Sequence, residues 1–304
     1  MPLEYLSRLL SMAKQASGPR TVAVAAAGEQ VCLESVVVAR QEGLVEPILY
    51  GDQPVIEQIL GSLEQEIAGY EIHHVPDPLE AAERAVESIA AGRAQMLMKG
   101  LVQTGDLFHA YFDKRWSLRN PGRIMSHIGL FEVPGYPRLF AMTDAAINVE
   151  LDDDRLVDIC RNAVEFMHRV GWQRPKVALL AGTSRVSRRQ PVTGRAERVA
   201  ARASREIPGA TFVGPLAIDE ALSPKAVHIK RTHGSIVGDA DVLVVPHLEV
   251  GNVFYKTMTS LYYSKVVGAV VGGKAPVILT SRADSEETKL CTVALSCYLS
   301  ERGS

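Results

Sequence analysis

Cysteine is scarce in this sequence: Cys32, Cys160, Cys291 and Cys297 are the only four in 304 residues, and none forms a C-x-x-C pair. That argues against a disulfide framework or a structural zinc site and fits a reducing cytoplasm. An excess of one charge is also missing. Lys and Arg number 33 against 35 Asp and Glu, a net charge of −2, so nothing points to nucleic acid. The longest apolar runs, such as Val242–Pro246, fall far short of the roughly 20 residues of a membrane helix. The opening Met1-Pro-Leu-Glu-Tyr5 lacks the basic and apolar regions of a signal peptide.

Two nucleotide-binding patterns are missing as well. Gly268-Ala-Val-Val-Gly-Gly-Lys274 nearly spells a phosphate-cradling P-loop, but Ala275 stands where the hydroxyl residue belongs. Pro276 then opens a strand instead of a helix, so the helix N-terminus that would bind phosphate is absent. No G-x-G-x-x-G follows an early strand, which disfavours a Rossmann nicotinamide site. His73-His74 and Asp152-Asp153-Asp154 lack the spacing of metal ligands.

What the chain does have is alternation. Apolar, β-branched runs predict strands at Thr21–Ala26, Pro47–Tyr50, Glu71–His74, Gln95–Met98, Ile128–Val133 and Leu139–Met142. Further runs follow at Lys176–Leu180, Thr211–Val213, Val242–Val245, Ala269–Val271 and Val277–Thr280. Stretches of helical period such as Glu29–Gln41, Pro78–Ala91, Asp154–Arg169 and Ala196–Glu206 lie between them. This pattern predicts an α/β fold built of βαβ units with largely parallel sheets. The acidic turn at Asn148–Asp153 is where a domain boundary is expected.

Parallel sheets bind ligands at the carboxyl ends of their strands. The loops there carry Lys99-Gly100, Asp144 to Asn148, Glu249 to Asn252 and Ser281-Arg282-Ala-Asp284-Ser285. Arg282 and Ser281 ahead of a helix start combine charge with directional donors, suited to phosphate. The alternative is plain capping by Asp284 or Ser285, with Glu287 completing a capping box. Asn252 reads alternatively as an N-cap after a turn glycine, and Asp144 and Asn148 as turn residues. Lys99, closing a buried apolar strand, needs an anionic partner or an exit to water. His127 reads as a structural histidine or as a base.

Between Arg185 and Arg205 lie seven arginines and one acid, Glu197. Arg195, Arg198, Arg202 and Arg205 share a helix face opposite Ala196, Val199, Ala200 and Ala203. The stretch is either a solvated basic face or a landing strip for a multiply phosphorylated ligand such as coenzyme A, with Arg188 and Arg189 the candidate contacts.

Several blocks together resemble the phosphate acetyltransferase/phosphate butyryltransferase family. They are Gly238-Asp-Ala-Asp-Val-Leu-Val-Val-Pro246, Glu249-Val-Gly-Asn-Val-Phe-Tyr-Lys256 and Pro276-Val-Ile-Leu-Thr-Ser-Arg-Ala-Asp-Ser285. Leu97-Met-Lys-Gly-Leu-Val102, Leu130-Phe-Glu-Val-Pro134, Thr143-Asp-Ala-Ala-Ile-Asn148 and Gly214-Pro-Leu-Ala217 extend the likeness over residues 95–300. The Met-Lys-Gly-Leu and Thr-Ser-Arg-Ala-Asp-Ser wording resembles the butyryltransferase branch.

The resemblance implies two α/β/α domains of the isocitrate/isopropylmalate dehydrogenase-like type with a cleft between them. Residues 1–148 plus 276–304 would form the first domain and 149–275 the second. It implies reversible exchange of a short acyl group between coenzyme A and phosphate, via an acyl phosphate, with coenzyme A as substrate and neither a bound cofactor nor a catalytic metal. It implies a cytoplasmic homo-oligomer, a dimer or larger. Carried over singly, Ser281 and Arg282 match the pair that handles phosphoryl end and oxyanion, and Ser126 matches a phosphate contact. Asp144, Asn148, Asn252 and Lys256 match cleft positions, and Lys99 and His127 join them as substrate-binding candidates. Thr288 stands where acetyltransferases carry an aspartate base. Asp284, Glu287 and His127 remain as candidate bases, with Asp284 favoured by its place in the matching block. Competing readings are an acetyl-specific enzyme, a metal- and NAD(P)-dependent hydroxyacid dehydrogenase of the same fold, and a non-catalytic acyl-CoA-binding protein.

Overall fold

The computed structural model describes residues 3–15, 18–280 and 284–300. It is an α/β protein that divides into two compact units: Ser7–Gly122 with Val267–Ser304, and Met1–Leu6 with Arg123–Val266. The division falls at 122 and 266 rather than at the expected 148 and 275. The acidic turn before residue 153 starts a helix inside a unit instead of separating two.

The first unit begins with α1 (Arg8–Lys14), β1 (Arg20–Ala25), α2 (Gln30–Gln41), β2 (Val45–Gly51) and α3 (Gln53–Ser62). It continues through β3 (Glu71–His74), α4 (Pro78–Ala90), β4 (Met96–Lys99) and α5 (Thr104–Phe112). Strands β1, β2, β3 and β4 pair in parallel in the order β3-β2-β1-β4. Burial explains the apolar runs: Val22, Ala23, Val24 and Ala25 of β1 are all buried, as a strand covered on both faces requires. Asp77 starts α4 by accepting from the amides of Leu79 and Glu80, which satisfies two of the orphan donors of its first turn.

The other unit holds β5 (Ser126–Glu132), β6 (Phe140–Thr143), α6 (Asp153–Arg169), β7 (Lys176–Leu180) and α7 (Pro191–Glu206). Next come β8 (Thr211–Leu216), α8 (Ile218–Leu222), α9 (Pro224–Lys230), β9 (Val242–Val244) and α10 (Leu248–Ser260). Strand order is β5-β6-β9-β7-β8, with β5 antiparallel to β6 and the rest parallel. Pairing of β6 with β9, Ala141 opposite Val242, is what ties residues 123–148 to this unit. Its core is built on Phe131, Phe140, Met142, Leu243 and Val245, with Phe131 and Phe140 stacked at 5.2 Å. Phe254 and Tyr255 of α10 pack against that core.

The chain then forms β10 (Lys265–Val271), β11 (Val277–Ile278) and α11 (Glu286–Ser300). β11 runs parallel to β4 and antiparallel to β10. The near-P-loop is therefore a strand turning into another strand, as the proline indicated. Every one of the eleven predicted strands forms. All four cysteines are buried, and burial pushes the Cys32 and Cys160 thiols up to about 12.

Candidate active site

In the unit of residues 123–266, Asp144 follows β6 at its carboxyl end and is wholly buried. One carboxylate oxygen accepts from the amides of Ala146 at 2.9 Å and Ile147 at 3.1 Å. The other accepts from the Asn148 amide at 3.2 Å and from Asn148 Nδ2 at 2.6 Å. Four donors converge on one acid, which shapes residues 144–148 into a closed loop. Asn148 Nδ2 also donates to the Met125 carbonyl at 2.8 Å, so this loop holds the lead-in to β5.

Ser126 opens β5 instead of preceding it, and its Oγ accepts from Asn162 Nδ2 at 3.0 Å. Asn162, on α6, also donates to the Ile124 carbonyl and accepts from Arg123. His127 follows, its ring edge-on to Tyr255 at 6.0 Å. Its Nδ1 is sealed and has no hydrogen-bond partner among the described residues. Burial lowers the pKa of His127, with the Asp144 charge opposing, so the imidazole is neutral at neutral pH.

Helix α10 docks onto the Asp144 loop through its first turns. A Cβ at Gly251 would lie 2.7 Å from the Asp144 carbonyl oxygen, so only glycine allows this approach. Asn252 Nδ2 donates to the Ala145 carbonyl at 3.2 Å. Asn252 sits inside the helix, while His247 occupies the N-cap position, so the capping alternative fails. Lys256 lies one turn further along α10 and is exposed.

The arginine stretch splits in two. Arg195 donates to the carbonyls of Leu151 and Pro246, both at 2.8 Å. Arg198 pairs with Asp153, and Arg202 with Asp154 and Glu206. These three are structural, and Arg198 and Arg202 match the acidic first turn of α6, where negative charge also suits the helix dipole. Arg188 and Arg189 are different. Both are exposed in the loop after β7 and make no ion pair among the described residues.

In the other unit, Lys99 ends β4, and its ammonium donates to the carbonyls of Gly100 and Val102, each at 3.1 Å. Two carbonyls thus supply what the sequence suggested an anion would. A Cβ on Gly100 would meet the Ala26 carbonyl oxygen at 2.3 Å, which explains the glycine. Lys99 and Gly100 line a pocket of about 610 Å³ with Glu29, Asp106 and Thr280. Ser281 and Arg282, next in sequence after Thr280, lie outside the described residues. Asp284 is half-buried. Ser285 caps α11, accepting from the Thr288 amide at 3.2 Å while its hydroxyl meets that of Thr288 at 2.9 Å. Thr288 therefore serves the cap at the position where acetyltransferases carry their base. Among the described residues, no three His, Cys, Asp or Glu side chains converge as a metal-binding group.

Sequence reasoning overlooked Asn162, Thr193 and Glu220, each buried and polar. Only their place on otherwise apolar helix faces could have marked them.

The profile of the family described as phosphate acetyl/butaryl transferase matches residues 68–297, well over half of the chain. The chain belongs to this family. It is 38% identical to phosphate butyryltransferase of Clostridium acetobutylicum, over 92% of this chain and 93% of that one. Phosphate acetyltransferase of Thermotoga maritima is 35% identical, over 96% and 98%. The crystal structure of a branched-chain phosphotransacylase from Enterococcus faecalis V583 superposes with a TM-score of 0.82 at 33% identity, covering 93% of this chain and 99% of that one. Membership in the phosphate acyltransferase family sets aside the dehydrogenase reading.

Proposed function

We propose that this phosphate acyltransferase converts a short-chain acyl-CoA, butyryl-CoA or close to it, and phosphate reversibly into acyl phosphate and coenzyme A. The observation that carries the reading is 38% identity to a phosphate butyryltransferase over 92% of this chain. In the direction of acyl-CoA synthesis, the thiol sulfur attacks the acyl carbonyl carbon, and the carbon–sulfur bond forms as the carbon–oxygen bond to phosphate breaks. The thiol proton passes to a base and leaves with phosphate. Both substrates are held together, so orientation supplies much of the rate. Coenzyme A is a substrate here, and no resident cofactor is needed.

Ser281 and Arg282 take the phosphoryl end and the developing oxyanion, and Asp284 the thiol proton. Ser126, Asn148, Asn252, Lys256 and Lys99 contribute polar contacts, and Asp144 shapes the loop that carries Asn148. Burial keeps the His127 ring neutral, and it joins these residues as a substrate contact. Asp284 is favoured over His127 as the base by its place in the Ser-Arg block. Arg188 and Arg189 face the phosphates of coenzyme A. The enzyme works in the cytoplasm as a homo-oligomer. Among the described residues no helix is long and apolar enough to cross a membrane, and the exposed Val253, Leu261, Tyr262 and Tyr263 offer an apolar surface for assembly.

The test is a panel of acyl-CoAs in phosphate, following free thiol. Butyryl-CoA should turn over fastest. No thiol release from any short acyl-CoA overturns the activity, and faster turnover of acetyl-CoA overturns only the chain length. Arg282→Ala should lose roughly 10²–10³ in rate, the usual cost of one oxyanion donor, and near-normal turnover would refute its role.

A further inference from the structure

Glu220 is a buried acid on α8, 6% exposed, and an uncompensated charge there would be costly. It is compensated by three donors from outside its own helix. The hydroxyls of Ser184 and Thr232 both donate to it, and Lys230 approaches at 3.4 Å. Burial pushes the Glu220 carboxyl up, but the bonds from Ser184 and Thr232, with Lys230, outweigh burial and hold it below the usual carboxylate range. Ser184 in turn accepts from the Ala217 amide at 2.9 Å, so its hydroxyl is fixed as both donor and acceptor.

Ser184 begins the segment that carries the unpaired arginines. Ser187 to Gln190 is a β-turn, closed by the Gln190 amide on the Ser187 carbonyl at 3.0 Å, with Arg188 and Arg189 at its two central positions. Its far side is anchored by the buried Thr193 of α7, whose Oγ1 accepts from the Ser187 amide at 2.9 Å and donates to the Gln190 carbonyl at 2.7 Å. The turn is thus held at two points, Thr193 after it and Glu220, through Ser184, before it. A turn whose backbone is anchored on both sides has less freedom to lose when its two exposed cations meet an anion, and affinity gains from that saving.

The geometry points to Glu220 as a positioning residue, holding Ser184 so that the Arg188–Arg189 turn keeps the shape that receives the phosphates of coenzyme A. This inference rests on the proposed role of those two arginines. Burying an acid is an expensive way to stabilise a five-residue helix, whereas fixing a cationic turn gives the buried charge a use.

The test combines steady-state kinetics with calorimetric titration of adenosine 3′,5′-bisphosphate, a mimic of the phosphorylated end of coenzyme A. The variants are Ser184→Ala, Glu220→Gln, the Arg188→Gln/Arg189→Gln pair, and Ser184→Ala added to that pair. Ser184→Ala and Glu220→Gln should each raise the KM for acyl-CoA and the Kd for the bisphosphate about tenfold, while kcat and the KM for phosphate stay within about twofold. Added to the arginine pair, Ser184→Ala should raise neither further, because its effect runs through those side chains. Silent Ser184→Ala alongside an effective arginine pair overturns the role of Glu220 alone. A full extra factor in the arginine-free background overturns it too. An unchanged bisphosphate Kd for the arginine pair instead sinks the coenzyme A role of the turn, and this inference with it. Should Glu220→Gln fail to fold by circular dichroism, Ser184→Ala carries the comparison, since it leaves the buried acid in place.

Discussion

Asp144→Asn asks whether this carboxylate is a clamp. In the parent, one oxygen serves the amides of Ala146 and Ile147, and the other serves both nitrogens of Asn148. The variant must turn one oxygen into NH2. If the NH2 faces Asn148, donors meet donors. If it faces Ala146 and Ile147, the same conflict falls on the backbone. Flipping the Asn148 amide offers an oxygen to the new NH2 but forfeits the 2.8 Å bond to Met125. At least two hydrogen bonds to a charged acceptor disappear from a site with no solvent to replace them. At about 1.5–3 kcal/mol each, the loss is roughly 3–6 kcal/mol. In units of this size about 1 kcal/mol moves Tm by about 2–4 °C, so Tm should fall by the order of 10 °C. Scanning calorimetry of both proteins at one concentration reads this directly. A variant melting within about 2 °C of the parent would falsify the clamp.

Gly251→Ala pushes a methyl against the Asp144 carbonyl, so about 1–3 kcal/mol of stability should go. Gly105→Ala, in open space within α5, should be neutral or gain up to about 1 kcal/mol, and urea titration of the two separates close approach from helix propensity. His127 has a folded pKa below its unfolded value, so the unfolded chain binds more protons and stability falls as pH drops below about 6.5. His127→Gln should flatten that decline by at most about 1.4 kcal/mol per pH unit, and identical slopes in acid-range melts would refute the buried neutral ring. Arg198→Gln with Arg202→Gln removes exposed ion pairs, so it should cost no more than about 1 kcal/mol per pair and leave the KM for acyl-CoA unchanged. A large rise in that KM would return the whole stripe to ligand binding.

The strands were legible because each is a short apolar run whose neighbours are helices, and such runs have little else to become. The helix from Leu248 was harder. Gly251-Asn252 looks like a turn yet lies inside α10, where the carbonyl of Asp144, more than 100 residues earlier, leaves room for nothing but glycine. The unit boundary escaped for a related reason: the acidic turn at residues 152–154 is locally loop-like, but its charges belong to a helix start facing Arg198 and Arg202. The candidate residues Asp144, Asn148 and Asn252 were visible as polar groups at strand ends. Their division into those that hold the backbone and those left for a ligand depends on long-range pairing, which spacing does not encode.

That division bears on the base. Three acids are buried in the unit of residues 123–266: Asp144, Glu220 and Asp241. Asp144 has four donors and Glu220 three. Asp241 accepts from Arg138 at 2.8 Å, Trp172 at 3.2 Å and the Lys176 amide at 2.8 Å. Each acid joins segments far apart in sequence, and its oxygens are already committed to donors that would be stranded if it turned toward a substrate. Taking a thiol proton would also convert an acceptor into a donor amid other donors, a change such a site resists. His127 is a buried, neutral ring and is proposed as a ligand contact. The proton acceptor is therefore to be sought outside these three acids. Asp284, half-buried, is the acid proposed for that role because the Ser-Arg block carries it. Thr288, in the position of the acetyltransferase base, is spent on capping the helix that follows. A helix cap thus occupies the place that the resemblance gives to the acetyltransferase base, and the proposed acceptor, Asp284, stands four residues earlier in the same segment.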